Sequence, residues 1–134
     1  MSQSISTHAV QSECFNEPQG EGTLLSLSPE RLLRGQPERR DWPVFERADG
    51  KVSTGIWSGT AGAWRIDFPE GQFEFFHVLS GIGAIVPDEG ERKPFGPGDA
   101  VMVPEGFRGV FEVTEKVTKQ YMFVQNIGAR ADMK

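Results

Sequence analysis

The chain has 134 residues, 37% hydrophobic and 25% charged, with a formal net charge of −5; this allows one domain with a real core and excludes the basic stripe of a nucleic-acid binder. No apolar run approaches the ~20 residues needed to cross a bilayer. The single cysteine, Cys14, rules out an intrachain disulfide, and MSQSISTHAVQSE lacks both the charged start and the apolar centre of a signal peptide, so a cytoplasmic location is expected.

Residues 1–21 are polar, show no period and read as an arm. In TLLSLSPERLLRG, Thr23–Leu27 can form a strand. Ser28 can then cap a helix, with Pro29 at its first position and Gly35 at its end, so one short helix is expected. QPERRDWPVFERADG is punctuated by proline and charge and reads as a surface run, which makes residues 22–50 a lead-in to the main fold. From Lys51 the pattern changes: KVSTGIW, AWRIDF, FEFFHVL, IGAIVP, AVMVP, VFEVTE and VTKQYMFVQN are β-prone runs separated by Gly, Pro or Asp-Glu-Gly turns. That rhythm indicates an all-β fold, an antiparallel sandwich or barrel over residues 51–126, with a tail at 127–134. Ten phenylalanines against one tyrosine predict a dry aromatic interior.

The stretch FPEGQFEFFHVLSG places Glu70, Glu74 and His77 close together, all side chains able to bind a metal or move protons. Gly62, Phe68, Glu70, Glu74 and Gly81 keep the spacing of the pattern G-x5-H-x-H-x3-4-E-x6-G. Gly98, Pro104, Gly106, Gly109 and Val113 keep that of G-x5-P-x-G-x2-H-x3-N. With these spacings, GIWSGTAGAWRIDFPEGQFEFFHVLSG and FGPGDAVMVPEGFRGVFEVTEKVTKQYMF resemble the cupin superfamily. The wording is similar to the subfamily that contains the ureidoglycine aminohydrolase cupin domains, over about Val52 to Val124. The resemblance implies a cupin-type jelly-roll β-barrel (a double-stranded β-helix), commonly a homodimer, without implying one reaction.

In metal-binding cupins three histidines and a glutamate hold the ion. The resemblance carries those positions onto Phe68, Glu70, Gly109 and, for the glutamate, Glu74. Only Glu70 and Glu74 keep donor atoms, so the metal expectation is a weakly held Mn²⁺ or Mg²⁺ on those two carboxylates. The glutamate, two histidines and glutamine of the ureidoglycine aminohydrolases are not matched by type. Family positions 68, 70 and 74 face inward, and strand residues alternate. Trp64, Ile66 and Phe76 should then face inward, and Arg65, Asp67, Phe75 and His77 outward. Two inward carboxylates repel unless one is protonated or a cation joins them; Lys119, with Tyr121 on the same face, is the candidate.

The catalytic candidates are therefore Glu74, Glu70, Lys119 and Tyr121, and an aromatic pocket is expected from Trp64, Phe68, Phe76, Phe107 and Phe111. Arg65 and Arg108 suit a barrel mouth or exterior, and Trp57 the framework. The functional expectation is a small-molecule cupin, with an enzyme acting on a small nitrogen-containing or carbohydrate-like metabolite as its first form. Two alternatives stand beside it: a non-catalytic ligand-binding or sensing cupin, and a dimeric interaction protein with a solid barrel core. The expected partners are a small-molecule ligand and a second copy of the chain, and neither nucleic acid nor membrane.

Overall fold

Two long strands organise the molecule, and residue alternation explains both. The structure, a computed structural model, describes residues 10–128. Within them lie nine strands and no helix: β1 (Thr23–Leu25), β2 (Leu32–Gly35), β3 (Arg39–Glu46), β4 (Val52–Gly59), β5 (Gly62–Asp67), β6 (Phe73–Pro87), β7 (Lys93–Phe95), β8 (Ala100–Val103) and β9 (Arg108–Val124). On β9, Phe111, Val113, Val117 and Lys119 are buried while Thr114, Lys116 and Met122 are exposed, a period of two held across a bend.

All pairings are antiparallel. On one side of β9 run β4 and β5 in line, β4 against Val117–Val124 and β5 against Arg108–Val113. On its other side runs β6, paired from Phe73↔Val124 to Pro87↔Gly109 with register shifts between Val78 and Gly83, where the strand bends. The sheet thus folds on itself into two halves. One has the order β1-β3-β4-β9-β6-β8; the other has β2-β5-β9-β6-β7. This is an all-β cupin-like barrel, and a jelly roll fits its two-sheet arrangement. Between the halves lies the core, with Trp64, Phe68, Phe76, Val78, Phe95 and Phe111 among its buried side chains.

The helix expected from Ser28 to Gly35 does not form. Arg31 N–H donates to Ser28 O and Leu32 N–H to Pro29 O, which makes only a turn. The chain then enters β2, where Leu32 pairs with Trp64 and Gly35 with Gly62. One helical turn carries the nucleation cost without the propagation that offsets it, so pairing to the open edge of β5 is favoured. The surface run expected at residues 36–50 also contains a full strand: β3 pairs with β4 from Arg39↔Gly59 to Glu46↔Ser53. Its register shift between Pro43 and Phe45 absorbs the proline that argued against a strand. Of the arm expected at 1–21, residues 1–9 lie outside the described residues; the remainder, residues 10–21, crosses the outer face of the first half-sheet. It is tied there by Gln120 Nε2 donating to Phe15 O and by Trp42 Nε1 donating to Gly20 O. Of the tail expected at 127–134, residues 129–134 lie outside the described residues.

The bend in β6 depends on Gly81. Its φ is +96°, and a Cβ built there would sit 2.0 Å from the carbonyl oxygen of Lys116 on β9. Neither the dihedral nor the backbone contact can yield to a side chain. Gly81→Ala is expected to lower unfolding free energy by about 2–4 kcal/mol in urea denaturation; an unchanged midpoint and slope would contradict this account of the bend.

Candidate functional site

Lys119 on β9 carries its ammonium into the aromatic interior. Nζ lies 2.7 Å from Oε2 of Glu74 on β6, and the side chains keep only 6% and 15% of their exposure. The ammonium also lies 4.2 Å from the ring centroid of Phe76, 4.7 Å from that of Trp57 and 4.9 Å from that of Phe111. Strand pairing assembles this arrangement: Trp57 stands opposite Lys119 in the β4–β9 ladder, and Phe76 stands opposite Tyr121 in the β6–β9 ladder. Ring faces carry negative potential, so the three aromatics stabilise the cation, while Glu74 balances its charge.

Beside the pair, Tyr121 donates its hydroxyl to Asp41 Oδ1 at 2.6 Å. Burial pushes the phenol well above its usual value. The Asp41 hydrogen bond adds to this, as do the nearby charges of Asp41, Glu74 and Glu46. The phenol therefore stays a donor in the folded protein. Two cavities of about 240 Å³ each flank the pair, and both are lined by Trp57, Glu74, Lys119 and Phe123. One continues to Asp41, Ser53 and Tyr121. The other continues past Trp64, Phe68 and Phe111 to Gln72, Arg31 and Arg39. A larger depression of about 620 Å³ lies between the arm and β3. It also reaches Asp41, but its acidic groups Glu13 and Glu17 come from the arm, and it contains none of the buried charges of the barrel.

Glu74, Lys119 and Tyr121 are thus brought together, and Glu70 is not. β5 ends at Asp67, a turn closed by Gln72 N–H donating to Pro69 O follows, and Glu70 stands exposed on it. The alternation that holds through Phe68 cannot be carried across that turn, so the inward placement expected for Glu70 is corrected. Trp64, Phe68 and Phe111 line the second cavity, and Phe76 is fully buried against the ammonium. Phe107 packs on the core from another side and lines a shallow depression with Pro87 and Arg108, away from the pair. His77 lies on the outer face, with Nδ1 2.9 Å from Gln120 Oε1. Arg65 is outside too, bonded to Asp88 and Asp67.

Trp57, Asp41, Arg31, Arg39, Gln72 and Phe123 were not among the site residues expected from sequence. Three of them belong to the segment read as a lead-in. Trp57 shares the parity of Ser53 and Gly55 on a strand beside Lys119, and that register was the signal that could have found it.

The metal site that the fold family implies does not fit these residues. Phe68 has no donor and Glu70 faces solvent. Glu74 is engaged by Lys119. A Cβ at Gly109 would lie 2.3 Å from the carbonyl oxygen of Val86, so the backbone leaves no room for a liganding side chain there. No group of three or more His, Cys, Asp or Glu side chains able to hold a metal occurs among the described residues.

Two measurements test this geometry. Removing one partner of a buried pair strands the other charge, so Lys119→Met and Glu74→Gln should each cost about 3 kcal/mol or more, and the double variant less than the sum; additive losses would show that the pair is not coupled. Tyr121 is the only tyrosine in the chain, so phenolate absorbance reports on it alone. A phenol with a raised folded-state value contributes stability below the unfolded value of about 10 and loses it as pH rises toward the folded value. The folded protein should therefore show no phenolate absorbance at a pH where free tyrosine is half ionised, and ionisation should accompany unfolding. Titration at the ordinary value with the fold intact would exclude the bond to Asp41.

The family model described as EutQ-like cupin domain matches residues 46–121. Among solved structures, the EutQ protein of Clostridium difficile is 15% identical, with a TM-score of 0.58 over 78% of this chain and 83% of that one. A DUF861-family protein of unknown function from Pseudomonas syringae pv. tomato is 23% identical, with a TM-score of 0.67 over 76% of this chain and 43% of that one. Ectoine synthase from P. lautus is 17% identical, with a TM-score of 0.58 over 66% and 65%. At such identities the likeness shows the fold alone. A search of curated proteins gives no match. The motif spacing, the folded-over sheet and the family match over more than half of its length agree: this chain belongs to the EutQ-like cupin domain family.

Proposed function

We propose that the chain is a small-molecule cupin that binds a small polar metabolite, nitrogen-containing or sugar-like, in the barrel against Lys119 and Glu74. The observation that carries this reading is the buried ammonium–carboxylate pair lining two cavities. Packing alone does not call for it, because a hydrophobic pair of similar volume is often as stable or more so. A ligand site does call for it: a few convergent polar groups in an aromatic enclosure are the usual means of orienting a small molecule. The pair also has the chemistry for acid–base work, since Lys119 can donate a proton to a bound group and Glu74 can accept one.

The ureidoglycine aminohydrolase-like wording of the motifs supports a nitrogen-containing ligand, with the metal replaced by a tethered cation. A neutral apolar ligand is disfavoured, because it would strip the pair of partners without replacing them.

Thermal shift of the full chain against a metabolite library tests the proposal. At least one polar metabolite should raise Tm in a saturable way, and Lys119→Met should abolish the shift. No stabilising compound, or equal shifts for wild type, Lys119→Met and Glu74→Gln, would overturn it. Incubation of the hit with protein, followed by NMR, then separates turnover from binding.

A further inference from the structure

The second cavity has an excess of positive charge that its own side chains do not balance. It is lined by Lys119, Arg39 and Arg31 against the single carboxylate of Glu74, and Glu74 is already bound to Lys119 at 2.7 Å. Arg39 enters from the first residue of β3, beside the edge where β3 leaves β1. Its Nη2 donates to the carbonyl oxygen of Ser26, and its guanidinium carbon lies 5.3 Å from the ring centroid of Trp64. Its Nε is shielded from solvent and has no hydrogen-bond partner, while the residue as a whole is half-buried. Arg31 is anchored alongside at the exposed rim, with Nε and Nη2 donating to the carbonyl oxygen of Arg65 at 2.9 and 2.7 Å.

A guanidinium does not shed its proton to escape burial, so the part of Arg39 that is withdrawn from water favours a partner of opposite charge. The Trp64 ring supplies cation–π attraction, but it has no oxygen to take the Nε proton. Burial and the nearby charge of Arg31 both make the charged form of Arg39 harder to keep, which is the electrostatic signature of a cation lacking its counter-charge. Guanidinium groups match the paired oxygens of carboxylate and phosphate. The cavity is about 240 Å³, which limits the guest to a small molecule.

We infer that this cavity is an anion subsite, in which Arg39, assisted by Arg31, receives the carboxylate or phosphate group of a small metabolite. The inference rests on the barrel-site reading above and narrows its ligand to an acid. The rest of such a molecule would extend past Lys119 and Glu74 toward Asp41, Ser53 and Tyr121. Those groups suit an amine or a hydroxyl, so the class indicated is a small amino- or hydroxy-acid or its phosphorylated counterpart.

The probes are glycolate, malonate and inorganic phosphate, titrated into the full chain at constant ionic strength with chloride as reference, and read by Tm and calorimetry. At least one should bind saturably where chloride does not, and the better of the carboxylate and phosphate arms names the group. Arg39→Gln should weaken that binding by about tenfold or more, the scale of a lost charged hydrogen bond. Arg39→Lys, which keeps charge but not the fork, should weaken it by less. Circular dichroism and an unliganded Tm near wild type establish that the variants are folded. If no anion exceeds chloride with wild type, or Arg39→Gln binds as well as wild type, the subsite is wrong. The two readings fail separately: a neutral library ligand that depends on Lys119, with no anion exceeding chloride, would overturn the anion subsite alone, whereas no ligand of any charge would overturn both.

Discussion

An ammonium group packed among aromatic rings is costly to bury unless a carboxylate balances it, and the placement of Glu74 2.7 Å from Lys119 is the constraint around which this barrel interior is arranged. Trp57, Phe76 and Phe111 surround the cation at 4.2–4.9 Å. Phe111 in turn stacks on Trp64 with 19° between the ring planes, and it meets Phe76 and Phe95 at tilts of 50° and 53°. Charge balance, ring packing and strand register therefore depend on one another. The pair sits on β6 and β9, the two strands that hold the sheet together, so its geometry is set by backbone pairing rather than by mobile loops.

The positive charge in this interior is part of the polypeptide. A cupin that recruits an ion needs several donors converging on one point. Here the converging positions carry a phenyl ring, an exposed carboxylate and a glycine pressed against a carbonyl oxygen. Lys119 needs no such set. Its charge arrives on a flexible stem, held in place by one carboxylate and by ring faces that would be packed in any case. What this gives up is Lewis acidity: an ammonium can attract an anion and transfer a proton, but it does not polarise a bound oxygen as a divalent ion does.

Sequence reading reached the barrel because its signals are periodic. Alternation in AWRIDF and FEFFHVL, phased by the inward positions that the cupin resemblance implies, placed Trp64, Ile66 and Phe76 inside and Phe75 and His77 outside, and the positions agree with that phase. It failed where periodicity stops. Glu70 lies beyond the end of β5, on a turn that carries no phase. TLLSLSPERLLRG has local helix signals, but the unpaired edge of β5 overrides them. β3 was hidden by Pro43 and by three consecutive charged residues, Arg39, Arg40 and Asp41. Two of those three turned out to line cavities, and a charge run that reads as solvated surface gives no sign of which members a neighbouring strand will cover.

Because β6 and β9 each run through both half-sheets, the halves are continuous rather than hinged. A two-lobed protein can close around its guest and use the closing energy for specificity. This fold has no such axis: separating the halves would mean breaking the ladder between its two longest strands. A guest of such a barrel would have to be recognised by fit to a cavity already shaped, with little conformational entropy to lose on binding and correspondingly little tolerance for guests of another size.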